Sequence, residues 1–370
     1  MSRPMSLTPP PARPTGPGTP RTGPVHSGDL DDPRLRYRLA DAVQAVDAYD
    51  TVFAYSRAGR RAVCAGGDGP PTPVARERLR YEVGSATKTA TVLLLARLHH
   101  EGRLSWLDPA LTHLTPRHPL GDRPATLLHL ATHTSGLPRL PPDLYPAVIT
   151  DRCTNPYAGY PAARLVAAFV RASARPRHRP GARWRYSNFG AAVLGQALAA
   201  GSDTDWNTLL AGHILTPLGM SDSGTRPSGP GTDAVGHRKD GRTPVPPLLA
   251  AGFSPAGALR ATPHDLLTYL EAHLHPERHG PGALADALRA VRQPMLRRGL
   301  GHRHIHSATW FVTPTRHGVA YSHGGATCGQ QAFLGFRPET DTAVVGLTTR
   351  RFTARDPFMA TALTLLTDPP

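Results

Sequence analysis

Ser85 and Lys88 are the residues whose types and spacing carry chemistry most directly, within Tyr81-Glu-Val-Gly-Ser-Ala-Thr-Lys-Thr89. They stand three apart where an extended apolar lead-in passes into the helical run Ala90-Thr-Val-Leu-Leu-Leu-Ala-Arg-Leu98. Residues three apart on a helix share a face. A serine hydroxyl is a poor nucleophile until a base takes its proton, and a lysine in a dry site can be neutral and do so. The pair is a candidate nucleophile and base.

The S-x-x-K spacing alone is weak evidence, because both residues are common, and a surface lysine in a first helical turn would give the same pattern. Composition sharpens it. Of the 42 basic residues only Lys88 and Lys239 are lysine. The chain therefore uses arginine almost wherever a cation suffices, but not three residues after Ser85. Arginine cannot release its proton in a protein, whereas lysine can.

Acyl transfer at Ser85 needs a second acid or base for the leaving group and two donors aimed at the oxyanion. Two stretches can supply them. Pro180-Gly-Ala-Arg-Trp-Arg-Tyr-Ser-Asn-Phe-Gly190 sets Tyr186 and Asn188 in a turn before a helix, and Tyr321-Ser-His-Gly-Gly-Ala-Thr-Cys-Gly329 leaves a strand with two glycines where backbone can approach a substrate.

The elements that must position these residues follow from pattern. A chain of 370 residues holds one large domain or two ordinary ones. Residues 1–30 carry eight prolines and no apolar core of a signal peptide, so a disordered Pro-rich tail is expected, followed by a single catalytic domain over 31–370. Leu35, Leu39, Val43 and Val46 recur at helical steps over 31–47. Thr51–Tyr55 and Arg61–Ala65 form a predicted hairpin, and Gly102 is placed to end the Ser85 helix. Helical spacing dominates from 105 to 300, at Thr126–Thr132, Pro161–Ala174, Gly190–Ala200 and Asp205–Ile214, with a long surface loop over Ser221–Pro247. Strands return at Thr309–Thr313, Val319–Ser322, Gln331–Phe336 and Thr342–Leu347, and a helix over 356–366 closes the chain. The expected architecture is α+β, with a sheet subdomain from 31–104 and 301–370 and a helical subdomain from 105–300 inserted in it.

Net charge of +15 raises the question of nucleic acid, but the arginines are scattered and no run of five basic residues occurs, so no nucleic-acid partner is expected. Three cysteines, Cys64, Cys153 and Cys328, form no C-x-x-C pair and point to a reducing compartment. No apolar stretch approaches the length of a membrane span. A cytoplasmic protein with no membrane partner is expected. His302, His304 and His306 alternate as metal ligands can, yet no carboxylate or cysteine pattern accompanies them. Cys328 is expected to be a small core residue, and His133 to hold its loop by hydrogen bonds.

The ordered motifs together resemble the serine β-lactamase and penicillin-binding-protein superfamily, and within it the class C-like esterases and D-amino-acid peptidases. S-x-x-K matches Ser85 and Lys88, Y-x-N matches Tyr186 and Asn188, and the third motif, K-T-G or H-x-G, matches His323, Gly324 and Gly325. Leu130-Ala-Thr-His-Thr-Ser-Gly-Leu-Pro138 resembles the family's L-x-T-H-x-S-G-L loop, and Pro217-Leu-Gly-Met220 its P-L-G-M helix end. The resemblance covers about residues 80–348.

It implies an antiparallel sheet flanked by helices beside an all-helical subdomain, with the site between them. By the same resemblance Ser85 is acylated, Lys88 and Tyr186 shuttle its proton, Asn188 holds the acyl-side amide or carbonyl, and His323, Gly324 and Gly325 bind substrate. The backbone N–H groups of Ser85 and Ala326 would hold the oxyanion. Neither metal nor cofactor is implied. A histidine where lactamases carry lysine is mostly neutral at pH 7, which tilts the expectation toward small ester, amide or peptide substrates and away from β-lactams. Ala258 and Gln330 also depart from the pattern, and put the substrate pocket in question. The expectation is a serine hydrolase. An acyltransferase or cyclising thioesterase would use the same acyl-enzyme, and a catalytically silent basic binding module is the alternative from another class.

Overall fold

The strand patterns close into one antiparallel sheet. The computed structural model describes residues 22–70, 73–146, 155–174, 178–299, 304–316 and 318–368. Its strands are β1 (Thr22–Gly28), β2 (Thr51–Arg57), β3 (Arg60–Gly67), β4 (Tyr81–Glu82), β5 (Arg260–Ala261), β6 (Leu296–Arg298), β7 (His304–His306), β8 (Phe311–Thr315), β9 (Gly318–Ala326), β10 (Gln331–Arg337) and β11 (Thr342–Thr348). Nine of them form the sheet in the order β1-β3-β2-β11-β10-β9-β8-β7-β6, while β4 and β5 pair apart from it. The sheet thus joins the two ends of the chain through β2 and β11, in register from Thr51↔Thr348 to Arg57↔Thr342.

Alternation along these strands divides the core. Phe53, Tyr55, Phe333 and Val344 face one way and pack with the helices Pro33–Gln44 and Phe358–Thr367. Val52, Ala54, Leu334 and Val345 face the other way, into the larger core shared with the helix Thr87–His100. That helix is buried from Thr87 through Ala96 because it is apolar on nearly every side. Helices Ala162–Ala174 and Asn188–Ala200 build the helical part beyond it.

Three differences from the sequence reading have physical causes. The tail ends before residue 30: Thr22–Gly28 form edge strand β1 on β3, where backbone pairing outweighs a polar composition. The helix Pro263–Leu274 and strand β6 fall within the range read as helical subdomain, but the helix packs on β2, β10 and β11, and β6 pairs with β7. And β9 runs on through His323–Ala326, so the third motif lies within a strand and not after one. Residues 1–21, Cys153 and His302 lie outside the described residues. Among the described residues no helix is long and apolar enough to cross a membrane, and no cluster of three His, Cys, Asp or Glu is arranged to hold a metal.

His273 shows how the core constrains pH response. It is fully buried against Trp310 and Phe336, with Nδ1 donating to the Tyr269 carbonyl at 2.9 Å. Burial pushes its pKa down to about 3. Between about 6.5 and that value the unfolded chain binds a proton that the folded chain does not, so stability falls as pH falls. This one group should cost roughly 3 kcal/mol between pH 6.5 and pH 4. Thermal unfolding across that range should show His273→Phe losing stability less steeply than the parent. Equal slopes would rule out His273 as a source of acid sensitivity.

Candidate active site

A short ladder and a turn hold Ser85. Tyr81 pairs with Ala261 and Glu82 with Arg260, and the Glu82 carboxylate is ion-paired at 2.9 Å to Arg260, which is 1% exposed. Gly84 then takes φ +52°, a backbone conformation costly for any residue with a Cβ. The chain makes one 3-10 turn over Gly84–Ala86 and enters the helix Thr87–His100. Because that helix is sunk in the core, Lys88 is only 2% exposed. Its Nζ donates to Ser85 Oγ at 3.0 Å and to the Ala256 carbonyl at 2.7 Å. Ser85 itself is half-buried and faces the cleft.

Tyr186 reaches the pair from the turn before the helix Asn188–Ala200. Ser187 caps that helix, accepting from Gly190 N at 2.8 Å and donating to the Pro138 carbonyl at 2.6 Å. His133 holds the other side: Nδ1 accepts from Ser187 N at 3.3 Å, and its ring lies 4.6 Å from that of Tyr186. The Tyr186 ring centroid lies 5.2 Å from Lys88 Nζ, and Lys88 and Ser85 both favour its ionised form. So the T-H-x-S-G-L loop does its work by clamping the tyrosine, as its hydrogen-bonding histidine leads one to expect.

Strand β9 supplies the third side. A Cβ at Gly325 would collide with the Val83 carbonyl oxygen, and one at Gly84 would lie 2.7 Å from Ala326 N, so both glycines are needed for the strand to approach the Ser85 turn. Thr327 N donates to the Gln330 carbonyl at 2.9 Å, which makes the next pair, Ala326 and Gln331, a non-hydrogen-bonded one. The Ala326 N–H therefore points away from β10. His323, at 3% exposure, is buried and donates Nδ1 to the Gly324 carbonyl at 2.8 Å. Asn188 lines the cleft with Nδ2 3.3 Å from the Tyr157 hydroxyl, and its Oδ1 is buried without a hydrogen-bond partner among the described residues.

The electrostatics are set by burial and mutual proximity. Burial, reinforced by Arg139, pushes the Lys88 ammonium below its ordinary value, although Tyr186 opposes this. Burial alone would raise the Tyr186 phenol; the Lys88 ammonium, with Ser85 and Arg139 nearby, outweighs it and holds the phenol low. Burial, then Lys88, drives His323 down to about 3, so its ring is neutral at pH 7. Lys88 and Tyr186 are thus both held below their ordinary values, each favouring the charged form of the other.

Ser85, Tyr186, Asn188 and the β9 residues His323–Ala326 border one cleft of about 1330 Å³, with Lys88 buried behind Ser85. Arg139, Tyr157 and Phe253 line it as well and are absent from the sequence reading. Arg139 directly follows the Leu130–Pro138 landmark, so it had a signal; Tyr157 and Phe253 lie in irregular segments that had none. Lys239 also lines the cleft, from the long loop after residue 221, which therefore borders the site. Cys328 is half-buried on the same wall and not a core residue. Gln330 is a buried crosslink, accepting from Glu82 N at 2.9 Å and donating to the Ala234 carbonyl at 2.8 Å. His306 accepts at Nε2 from Arg298 Nε at 2.8 Å, a structural use of a residue considered as a metal ligand.

An antiparallel sheet, a helical layer and a serine in the turn that leads a buried helix between them define the β-lactamase type of serine hydrolase fold. The chain belongs to the Beta-lactamase family, whose model matches residues 39–368. It is similar to the D-alanyl-D-alanine-carboxypeptidase/endopeptidase AmpH of Escherichia coli (strain K12), with 28% identity over 212 residues, 56% of this chain and 52% of that protein. It is also similar to Protein flp of Staphylococcus aureus (strain MW2), 22% identical over 72% of this chain and 52% of that protein. The chain spans about half the length of these curated relatives. Among solved structures, a class C β-lactamase aligns with TM-score 0.76 and 21% identity, covering 94% of this chain and 99% of that one. A D-stereospecific amidohydrolase from Streptomyces sp. aligns with TM-score 0.72 and 20% identity, covering 92% and 100%.

The charge balance has a kinetic signature. The rate kcat/KM for an ester should rise with pH through an ionisation below the ordinary value of about 10 for tyrosine. Tyr186→Phe deletes the partner that raises Lys88, so the ionisation should move to lower pH while the plateau falls about a hundredfold. Two pH–rate profiles check this. A move to higher pH would remove Lys88 as the titrating base.

Proposed function

We propose that this protein is a serine hydrolase that cleaves an ester or amide through an acyl-enzyme on Ser85. The observation that carries the reading is the buried Lys88 Nζ at 3.0 Å from Ser85 Oγ, with the Tyr186 ring beside it, its centroid 5.2 Å from Nζ. Neutral Lys88, with Tyr186, takes the hydroxyl proton as Oγ attacks the carbonyl carbon. The N–H groups of Ser85 and Ala326 hold the oxyanion as it forms. Tyr186 then returns the proton to the leaving group, and water repeats the sequence in reverse to release the acid. Asn188 contacts the acyl side, and Gly324 and Gly325 let the substrate lie close to β9.

Neutral, buried His323 offers no cation to a substrate carboxylate, which favours esters, amides and peptides over β-lactams. The relatives' names add support, since a carboxypeptidase/endopeptidase and an amidohydrolase both cleave amide bonds. A cytoplasmic location belongs to the same reading, supported by three cysteines without a C-x-x-C pair.

A fluorophosphonate probe followed by mass spectrometry should place the label on Ser85, and folded protein left unlabelled there would end the proposal. Lys88→Arg keeps the charge but cannot become a neutral base. It should lower ester turnover by at least about a hundredfold with little change in thermal unfolding. Near-parental turnover would leave Tyr186 as the base unaided.

A further inference from the structure

The cleft continues past Ser85. Strand β8 pairs with β9 only as far as Phe311↔Ser322, so β9 is uncovered on that side from His323 to Ala326. The residues of β9 that alternate onto the face toward the Phe358–Thr367 helix are Ser322, Gly324 and Ala326, all small. Phe333 lies opposite Gly324 on β10, and a Cβ at Gly324 would run into the terminal methyl of Met359. Phe311, Phe333, Met359 and Leu363 line this arm of the cleft, and none carries a charge. Gln331 reaches it too, but its amide nitrogen is committed to the Arg350 carbonyl and to Asp356. Arg139, Arg238, Lys239 and Arg351 stand elsewhere on the cleft wall.

The geometry points to a trough for a linear apolar chain carried by the substrate, an inference that rests on the acyl-enzyme reading above. It begins at Ala326, beside Ser85, where the reacting carbonyl would sit, and four residues of strand carry it about 13 Å to Ser322. Small residues on the floor give depth, and the aromatic and thioether walls give apolar contact. Methylenes placed against these walls would gain by leaving water. The substrate class is therefore an ester or amide with an extended alkyl chain.

Two ester series test this on the full-length protein: p-nitrophenyl esters of lengthening acyl chain, and acetates of lengthening 1-alkanols. In at least one series kcat/KM should climb by up to about fourfold per methylene, the usual worth of a buried CH2, until the trough is filled. Leu363→Trp should flatten that climb while leaving p-nitrophenyl acetate within about twofold of the parent; Ala360→Trp, at an exposed lining position, repeats the test without entering the core. Acetate turnover with no chain-length dependence in either series overturns the trough alone. A climb that survives both tryptophans does so as well. Failure to cleave any ester of either series, with no label on Ser85 from the fluorophosphonate probe, overturns the hydrolase reading and the trough with it.

Discussion

The approach of β9 to the Val83–Ser85 turn is the contact on which the site depends. Two backbones meet there with no side chain between them, because Gly84 and Gly325 both lack a Cβ. One belongs to the sheet and the other leads the buried helix, so the contact brings Ala326 beside the turn that carries Ser85. The Glu82–Arg260 pair and the Gln330 amide tie the same turn from behind, by Glu82 N and the Leu248 N–H that Glu82 accepts. A buried ion pair adds little net stability compared with apolar residues of the same volume, but breaking it leaves an uncompensated charge. Its effect here is to fix where the turn lies.

Around that contact, desolvation and mutual charge act against each other. Burial lowers Lys88 and would raise Tyr186; each ion favours the charged form of the other. The histidines nearby, His133 and His323, are both held well below their ordinary values, first by burial and then by Lys88, so they add structure without adding charge. The lysine thus sits among neutral rings.

Much of this was legible in the sequence. The Ser85 and Lys88 spacing, the scarcity of lysine and the ordered second and third motifs foretold residues that the fold brings together from a helix, a turn and a strand. The helix over 33–44, the β2–β3 hairpin and strands β9 to β11 were visible because their apolar periods match the faces they bury. What escaped was set by long-range packing. β1 has a turn-like composition and becomes a strand only because β3 offers an edge. The helix Pro263–Leu274 carries a clear helical period, but nothing in that period says that it packs on the sheet. Gln330 looked like a departure that put the pocket in question and is instead a hydrogen-bonded tie between two loops and a strand.

The near-exclusive use of arginine has an outcome beyond catalysis. Of the chain's two lysines, Lys239 is exposed at the wall of the cleft, and Lys88 is buried behind Ser85. Acylating reagents, acetyl-transferring metabolites and surface-coupling chemistries that seek a side-chain amine find none elsewhere on the molecule. Acetylation or conjugation of lysine is therefore steered to the cleft. Attached to a support through Lys239, the protein would lie with that cleft against the matrix and its basic exterior turned outward.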